Sequence, residues 1–238
     1  MRYLMIVQYN GQNFNGFQKQ KSGNTVQNHI ENALKTILKQ EINTTGSGRT
    51  DAGVSAYFQP VHFETDVEIE KQKFIHSMNG ILPDEIKVLD INKTSLHARF
   101  DAKSKTYEYK MYKNNIDLPL KQNALRINEN INIKEMKKFV KCLIGEHDFK
   151  GFQASGSPTE TTTRTIYNAK LNICENDITF EITGNGFLYK MVRNIVGTML
   201  LIGEGKLNLK ELKPTLFTTF KAKTTAKPEF LYLKNVEY

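Results

Sequence analysis

The residues best suited to chemistry are Arg49 and Asp51, which stand two positions apart in the glycine-rich segment Gly46–Ala56. Glycine lets a backbone turn sharply or approach another group closely, and loops between regular elements frequently bear functional side chains. A cation beside a carboxylate in such a loop is a candidate for covalent or acid–base chemistry. An aspartate that only caps a surface turn would produce the same pattern. Both interpretations stay open on the residues alone.

Regular elements on either side of this segment would hold it in place. Glu41–Thr45 before it and Tyr57–Thr65 after it are typical of strands, and apolar side chains alternate along the second. Upstream, apolar residues recur with helical spacing over Thr25–Lys39, with Asn24 as the expected N-cap. The sequence therefore predicts a loop between two strands, with a helix packed against their sheet.

The second half of the chain contains a similar mixture of elements. Asn132 is the expected N-cap of a helix, and Tyr167 and Ala169 are expected to share one face of a strand in an antiparallel hairpin. A further helix is predicted from Phe187 to about Ile202, with Arg193 near its beginning. From periodicity alone this arginine would extend to solvent, and in an apolar context it would need a carboxylate partner.

Gly48–Val54 reads G-R-T-D-A-G-V, which resembles the active-site motif of the TruA-type tRNA pseudouridine synthases. The resemblance implies that Asp51 is the catalytic residue. It also places Arg49 at the substrate, either in the space that the uracil leaves or against an adjacent phosphate. The family usually continues with histidine, where this chain has Ser55, so a role of that histidine does not transfer.

Further motifs resemble the same family in the same order along the whole chain. The segments H-A-R-F and K-x-Y-x-Y imply that Tyr107 stacks on the target base, and M-V-R-N-I-V-G implies that Arg193 pairs with Asp51. Near the C-terminus the resemblance assigns Leu231 to the base pocket. Phe230 stands there in place of a family glycine.

Several residues are predicted to contact the RNA backbone. Lysine meets phosphate and aromatic rings stack on bases, so a segment that interleaves the two is a candidate contact. Phe14 and Phe17 lie in such a segment, and they are equally well explained as core residues. The predicted backbone contacts are Lys19, Lys103, Lys105 and Lys190.

The resemblance implies an α/β fold of the α+β type, with two similar halves that place antiparallel sheets side by side. Helices would cover one side, and a central cleft would hold the active site of this pseudouridine synthase fold. We expect an N-terminal half of residues 1–103 and a C-terminal half of residues 104–238. The implied activity is that of an isomerase which converts uridine to pseudouridine at positions 38–40 of tRNA, in the anticodon stem-loop. The implied enzyme is a homodimer that needs no metal and no other cofactor.

Composition agrees with a cytoplasmic RNA-binding enzyme. The net charge is +8, which favours polyanionic partners. Charged residues make up 24% and hydrophobic residues 39%, a globular balance that excludes extensive disorder. Cys142 and Cys174 lack metal-binding spacing, and no apolar run is long enough to span a membrane.

Three alternatives remain open. A non-catalytic RNA-binding module would share the charge and the aromatic residues but would not need Asp51. A metal- or phosphate-dependent enzyme could use carboxylates and a glycine loop, although the loop lacks G-K-[ST] and no ligand cluster is apparent. A synthase of the same family could act on a different RNA.

Overall fold

The computed structural model describes residues 1–20, 23–156 and 159–238. The strands are β1 (Arg2–Tyr9), β2 (Thr44–Gly46), β3 (Ser55–Glu64), β4 (Ile86–Lys93), β5 (Ser104–Lys113), β6 (Leu125–Ile127), β7 (Gly145–Asp148), β8 (Thr163–Cys174), β9 (Asp177–Gly184) and β10 (Leu231–Glu237). The helices are α1 (Val26–Leu38), α2 (Lys71–Ile81), α3 (Ile133–Cys142), α4 (Met191–Gly203) and α5 (Leu209–Leu212). The fold is therefore mixed α/β, as the sequence predicts.

The described chain forms two compact units. The first comprises Met1–Lys103 together with Tyr232–Tyr238, and the second comprises Ser104–Leu231. The C-terminal segment was expected in the second half, but it pairs with β3 in the first unit, and the ring of Tyr232 stacks on that of Tyr57 at 5.0 Å. That both halves line one cleft stays a prediction.

The sheet of the first unit has the strand order β4-β1-β3-β10, and β2 also pairs with β3. The pairs β1–β3, β1–β4 and β2–β3 are antiparallel, whereas β10 runs parallel to β3. The parallel pair departs from the expected antiparallel sheet because β10 comes from the far end of the chain and no hairpin dictates its direction.

The second unit has the strand order β5-β9-β8-β7, with every neighbouring pair antiparallel, and β6 pairs with β5 in parallel. Helix α3 contacts α4 and β8. Asn132 caps α3 as predicted, since its side chain accepts a hydrogen bond from the Glu135 amide at 3.2 Å. Met136, Phe139 and Val140 form the buried face of that helix.

Two local predictions were wrong by one residue. Thr25 rather than Asn24 caps α1, and its hydroxyl accepts a bond from the Asn28 amide at 3.3 Å. The register between β8 and β9 shifts between Ile166 and Asn168, which makes Tyr167 an extra residue in β8. Tyr167 is consequently exposed, whereas Ile166 and Ala169 are both buried.

A buried carboxylate joins α1 to the sheet of the first unit. The side chain of Glu31 is 7% exposed. It accepts hydrogen bonds from the Thr44 amide at 2.9 Å, the Thr44 hydroxyl at 3.1 Å and the Gln27 side-chain amide at 3.0 Å. The ammonium of Lys19 lies 2.8 Å away. This network satisfies a charge that would otherwise be costly to bury.

We expect Glu31→Ala to lower the free energy of unfolding by about 2–4 kcal/mol, because it leaves the buried Thr44 donors without an acceptor. Urea denaturation measures this change. The matched control is Glu41→Ala, which removes an exposed carboxylate paired with Lys35. That change should have no measurable effect, because exposed ion pairs contribute little. Equal losses in both variants would contradict the structural role of Glu31.

Candidate active site

The segment that contains Asp51 is held by the chain immediately after β1. The Phe17 amide donates to the Thr50 carbonyl at 3.2 Å, and the Gly53 amide donates to the Phe14 carbonyl at 3.3 Å. These bonds attach the backbone on both sides of Asp51, whose own carbonyl accepts from the Val54 amide at 3.1 Å. Asp51 is half-buried. The loop is therefore a fixed support for its carboxylate.

Ser55, the departure from the family pattern, has a structural role. Its hydroxyl accepts a hydrogen bond from the Gly11 amide at 2.9 Å and is buried. A Cβ atom on Gly11 would lie 1.9 Å from the Val54 carbonyl oxygen, so the two segments touch backbone to backbone. The close approach shields the Gly11 amide from water, and Ser55 provides the hydrogen-bond acceptor that this amide needs.

Buried polar side chains hold the other parts of the loop. The Ser47 hydroxyl donates to the Gln59 side-chain oxygen at 2.8 Å, and the Gln59 amide group donates to the Gly48 carbonyl at 2.6 Å. The hydroxyl of Tyr9 bonds that of Thr50 at 2.8 Å. Sequence reasoning missed Tyr9 and Gln59, because each lies in a regular strand and contacts the loop only through the tertiary fold.

Phe14 and Phe17 are core residues. They are 5% and 2% exposed, and the Phe17 ring lies 6.2 Å from that of Tyr9. Of the two interpretations of this segment, the burial of both rings and the contact with Tyr9 support the core interpretation. The segment instead supports the loop, and its Gly16 closely approaches the backbone of Thr50. Gly16 has φ +90°, and a Cβ atom on it would lie 2.8 Å from the Thr50 carbonyl oxygen.

The candidate substrate cations of the first unit have different surroundings. Arg49 is exposed and makes no hydrogen bond or ion pair within residues 1–20, 23–156 and 159–238. Lys103 is exposed as well, and its backbone amide donates to the Glu237 carbonyl at 2.8 Å. Lys19 is paired with buried Glu31, and the hydrogen bond to that carboxylate raises the pKa of the Lys19 ammonium. The charge of Lys19 is thus largely compensated by Glu31.

Tyr107 lies on β5 in the second unit, where it pairs with Ile182 of β9. It is 8% exposed, and the edge of one ring meets the face of the other between Tyr107 and Phe187, with centroids 5.1 Å apart. Lys105 lies on the same strand, opposite Gly184. The geometry fixes the orientation of the Tyr107 ring within its unit.

Helix α4 begins later than the sequence predicts, at Met191 rather than Phe187. Lys190 precedes it in the left-handed conformation with φ 57°, which an extension of the helix would not allow. Arg193 is half-buried in the first turn, and its Nε donates to the Ala226 carbonyl at 2.8 Å. The Ala226 amide donates to the Arg193 carbonyl at 3.1 Å. The arginine is therefore held by the segment before β10.

Leu231 is 4% exposed and follows a short turn at Pro228–Phe230. Phe230, which replaces the family glycine, packs edge-to-face on Tyr109 with centroids 6.3 Å apart. The Tyr109 hydroxyl is buried and has no hydrogen-bond partner in the described chain. Burial raises the pKa of Tyr109 far above its usual value, with a smaller contribution from the charge of Glu229. This phenol therefore stays protonated.

The structure places the candidate residues in two groups. Asp51, Arg49, Lys19 and Lys103 belong to the first unit, and Tyr107, Arg193, Leu231, Lys105 and Lys190 belong to the second. Pairing of Asp51 with Arg193 stays a prediction. Within the described ranges, no three His, Cys, Asp or Glu side chains are grouped to hold a metal ion. No helix in those ranges has both the length and the apolar character to cross a membrane.

Comparison with known proteins identifies the family. A profile of the tRNA pseudouridine synthases matches residues 5–101 and 139–238. A protein named tRNA pseudouridine synthase A from a Thermoanaerobacter species is 41% identical over 100% of both chains. Proteins of the same name from Ruminiclostridium cellulolyticum and Streptococcus agalactiae are each 38% identical. They cover 98% and 100% of this chain and 98% and 95% of their own lengths.

The chain belongs to the tRNA pseudouridine synthase family, because the profile matches most of its length and these relatives extend over nearly all of it. It is accordingly an isomerase that converts uridine to pseudouridine. The resemblance seen in the motif around Asp51 is confirmed at the level of the family.

We expect Gly16→Ala to lower both stability and activity. The new methyl group would meet the Thr50 carbonyl oxygen at 2.8 Å, and φ +90° strains any residue with a side chain. A loss of more than about 1 kcal/mol in unfolding free energy should accompany slower pseudouridine formation. Urea denaturation and tritium release from 5-tritiated uridine in tRNA measure the two effects.

Gly80→Ala is the matched control for this substitution. Gly80 lies within α2, and a Cβ atom on it would meet nothing within 4 Å. Alanine should raise the stability of the helix by about 0.5–1 kcal/mol without altering activity. A Gly16→Ala protein as active as the Gly80→Ala protein would show that the loop tolerates displacement.

Proposed function

We propose that this protein converts uridines 38–40 in the anticodon stem-loop of tRNA to pseudouridine, with Asp51 as its catalytic residue. The assignment of Asp51 is supported by the hydrogen bonds that hold its loop in place. The carboxylate is half-buried in a motif that resembles the family active site, and hydrogen bonds fix the backbone on both sides of it. The names of the relatives support tRNA as the substrate.

The reaction breaks the C1′–N1 bond of uridine, turns the base and joins its C5 to C1′. One ionised carboxylate can start it, by adding to the sugar or the base or by removing a proton from the sugar. No electrons enter or leave the substrate and no phosphoryl group is transferred. The uracil must leave the helical stem to reach Asp51.

The other site residues would act around this carboxylate. The guanidinium of Arg193 would pair with Asp51 and favour its ionised form, and its bond to Ala226 would orient it. Tyr107 would offer a stacking face to the base, and its phenol could help to remove the C5 proton. Leu231 would line the apolar wall of the base pocket.

Cations would bind the tRNA backbone. Arg49 and Lys103 are the best supported of these contacts in the first unit, because both are exposed and neither makes a side-chain ion pair in the described chain. Lys105 and Lys190 would serve the second unit, and Lys19 would contribute less because Glu31 compensates its charge. We further propose that the protein acts in the cytoplasm as a homodimer whose subunits share the tRNA.

We expect Asp51→Asn to abolish tritium release from tRNA that carries 5-tritiated uridine, while the affinity for tRNA stays within a few-fold. The amide cannot act as a nucleophile or base, whereas binding depends on many phosphate contacts. Asp66→Asn, at an exposed position of the same unit, is the matched control and should keep full activity. Release by the Asp51→Asn protein would exclude the proposed role. Sites mapped outside positions 38–40 would indicate a different RNA target.

A double-mutant cycle tests the proposed pair. Asp51→Asn and Arg193→Met should each reduce unfolding free energy, and the double variant should lose less than the sum by about 1 kcal/mol, because the two sites share one interaction. Urea denaturation of the four proteins measures this coupling. Arg126→Met, at an exposed arginine paired with Asp117, replaces Arg193→Met in a control cycle. Strictly additive losses in the first cycle would refute the pair.

A further inference from the structure

Three aromatic rings form a row in the first unit and end at the surface. The centroids of His62 and His97 are 4.4 Å apart, and those of His97 and Phe100 are 4.3 Å apart with an interplanar angle of 22°. The guanidinium carbon of Arg99 lies over the Phe100 ring, 5.5 Å from its centroid, in a cation–π contact. We call Phe100 with Arg99 the Phe100 platform.

The turn that bears the platform is rigidly built. The Arg99 and Phe100 amides both donate to Nδ1 of His97, at 3.2 and 3.1 Å. The His97 amide donates to the Asp101 carboxylate at 2.7 Å, and the Asp101 amide returns a bond to the His97 carbonyl at 3.1 Å. The amides of His97, Arg99, Phe100 and Asp101 are thereby hydrogen-bonded within the turn, and the Phe100 ring stacks on that of His97.

Buried groups anchor this turn from below. The Ala98 amide donates to Nδ1 of His62 at 3.1 Å, and the Tyr238 hydroxyl donates to the Ala98 carbonyl at 2.7 Å. Burial, and to a smaller extent the neighbouring His97, lower the pKa of His62, so its imidazole stays neutral and accepts this bond. The last residue of the chain and a strand residue thus both hold the turn.

Phe100 nevertheless remains 74% exposed. A lone exposed apolar side chain is common on protein surfaces and indicates little by itself. Here the ring is stacked on one neighbour and presented by a turn whose polar groups are satisfied. Such support is expected where an aromatic face has a partner.

The charges around the ring favour RNA as that partner. Arg99 makes no ion pair in the described chain, Lys103 is two residues beyond the turn and exposed, and the chain has a net charge of +8. The carboxylate of the adjacent Asp101 accepts a hydrogen bond from the His97 amide. Aromatic rings flanked by cations that have no carboxylate partner are typical of single-stranded nucleic-acid contacts.

We propose that the Phe100 platform is an RNA-binding site outside the catalytic loop. An unpaired nucleobase of the bound tRNA stacks on the exposed face of Phe100, and Arg99 meets the phosphate next to that base. The proposal rests on tRNA being the substrate. The Phe100 platform would add a stacking contact to the phosphate contacts. It would therefore favour tRNAs that present an unstacked base at this point.

Fluorescence anisotropy with labelled tRNA tests the platform in the intact protein. Phe100→Ala should raise Kd roughly 5- to 150-fold, the range for the loss of one stacked base. Phe100→Trp should preserve affinity, because it keeps an aromatic face. Leu89→Ala, at a residue of β4 that is 49% exposed, is the matched control and should leave Kd unchanged. An unchanged Kd for Phe100→Ala would overturn the proposal.

The dependence on salt separates the two parts of the platform. Arg99→Gln should reduce the slope of log Kd against log salt concentration by about one, whereas Phe100→Ala should leave the slope unchanged. Light scattering on the same proteins tests the competing occupant, a second copy of this chain. If Phe100→Ala weakens self-association and leaves tRNA affinity intact, the ring belongs to a subunit interface and the proposal is wrong.

Activity and affinity distinguish this proposal from the proposed function. A wild-type protein that binds tRNA through Phe100 but releases no tritium would refute the catalytic assignment and leave the platform in place. A wild-type protein that releases tritium with no contribution of Phe100 to Kd would refute the platform alone. A wild-type protein that does not bind tRNA would overturn both.

Discussion

The backbone contact between the segment after β1 and the Asp51 loop is the constraint on which the candidate site depends. A loop needs partners for its amides and carbonyls, and an unsatisfied buried group costs as much as a lost hydrogen bond. Phe14 and Phe17 supply two of those partners from their backbones while their rings fill the core. The loop that bears the Asp51 carboxylate is consequently held against the hydrophobic core by backbone hydrogen bonds, and the cysteines of the described chain are free.

The chain uses its cations in two ways. Some compensate buried charge, as Lys19 does for Glu31, and the resulting network joins α1 to β2. Others, including Arg49 and Arg99, are exposed and lack carboxylate partners in the described ranges. Only the second kind has its full field available to phosphate, because an ion pair that is already formed must be weakened before its cation can bind another anion.

Departures from the family pattern have local compensation in the structure. Ser55 replaces histidine and accepts the bond of a buried amide, and Phe230 replaces glycine and packs on Tyr109. Each substitution fills space or satisfies a donor within one unit. They therefore agree with a preserved fold, and neither alters the residues assigned to the reaction.

The sequence alone determined the family, the mixed fold class, the loop around Asp51 and the cap of α3, because each is encoded in contiguous residues. Hydrophobic periodicity and helix caps depend on residues a few positions apart, and a motif consists of consecutive residues, so the sequence shows each of them directly. Only the tertiary structure decided that Gly16 supports Thr50, that Phe17 is buried, that Tyr167 is bulged outward and that the last strand pairs with β3. These features depend on contacts between residues far apart in the chain, and local propensity contains no information about which distant segments will meet.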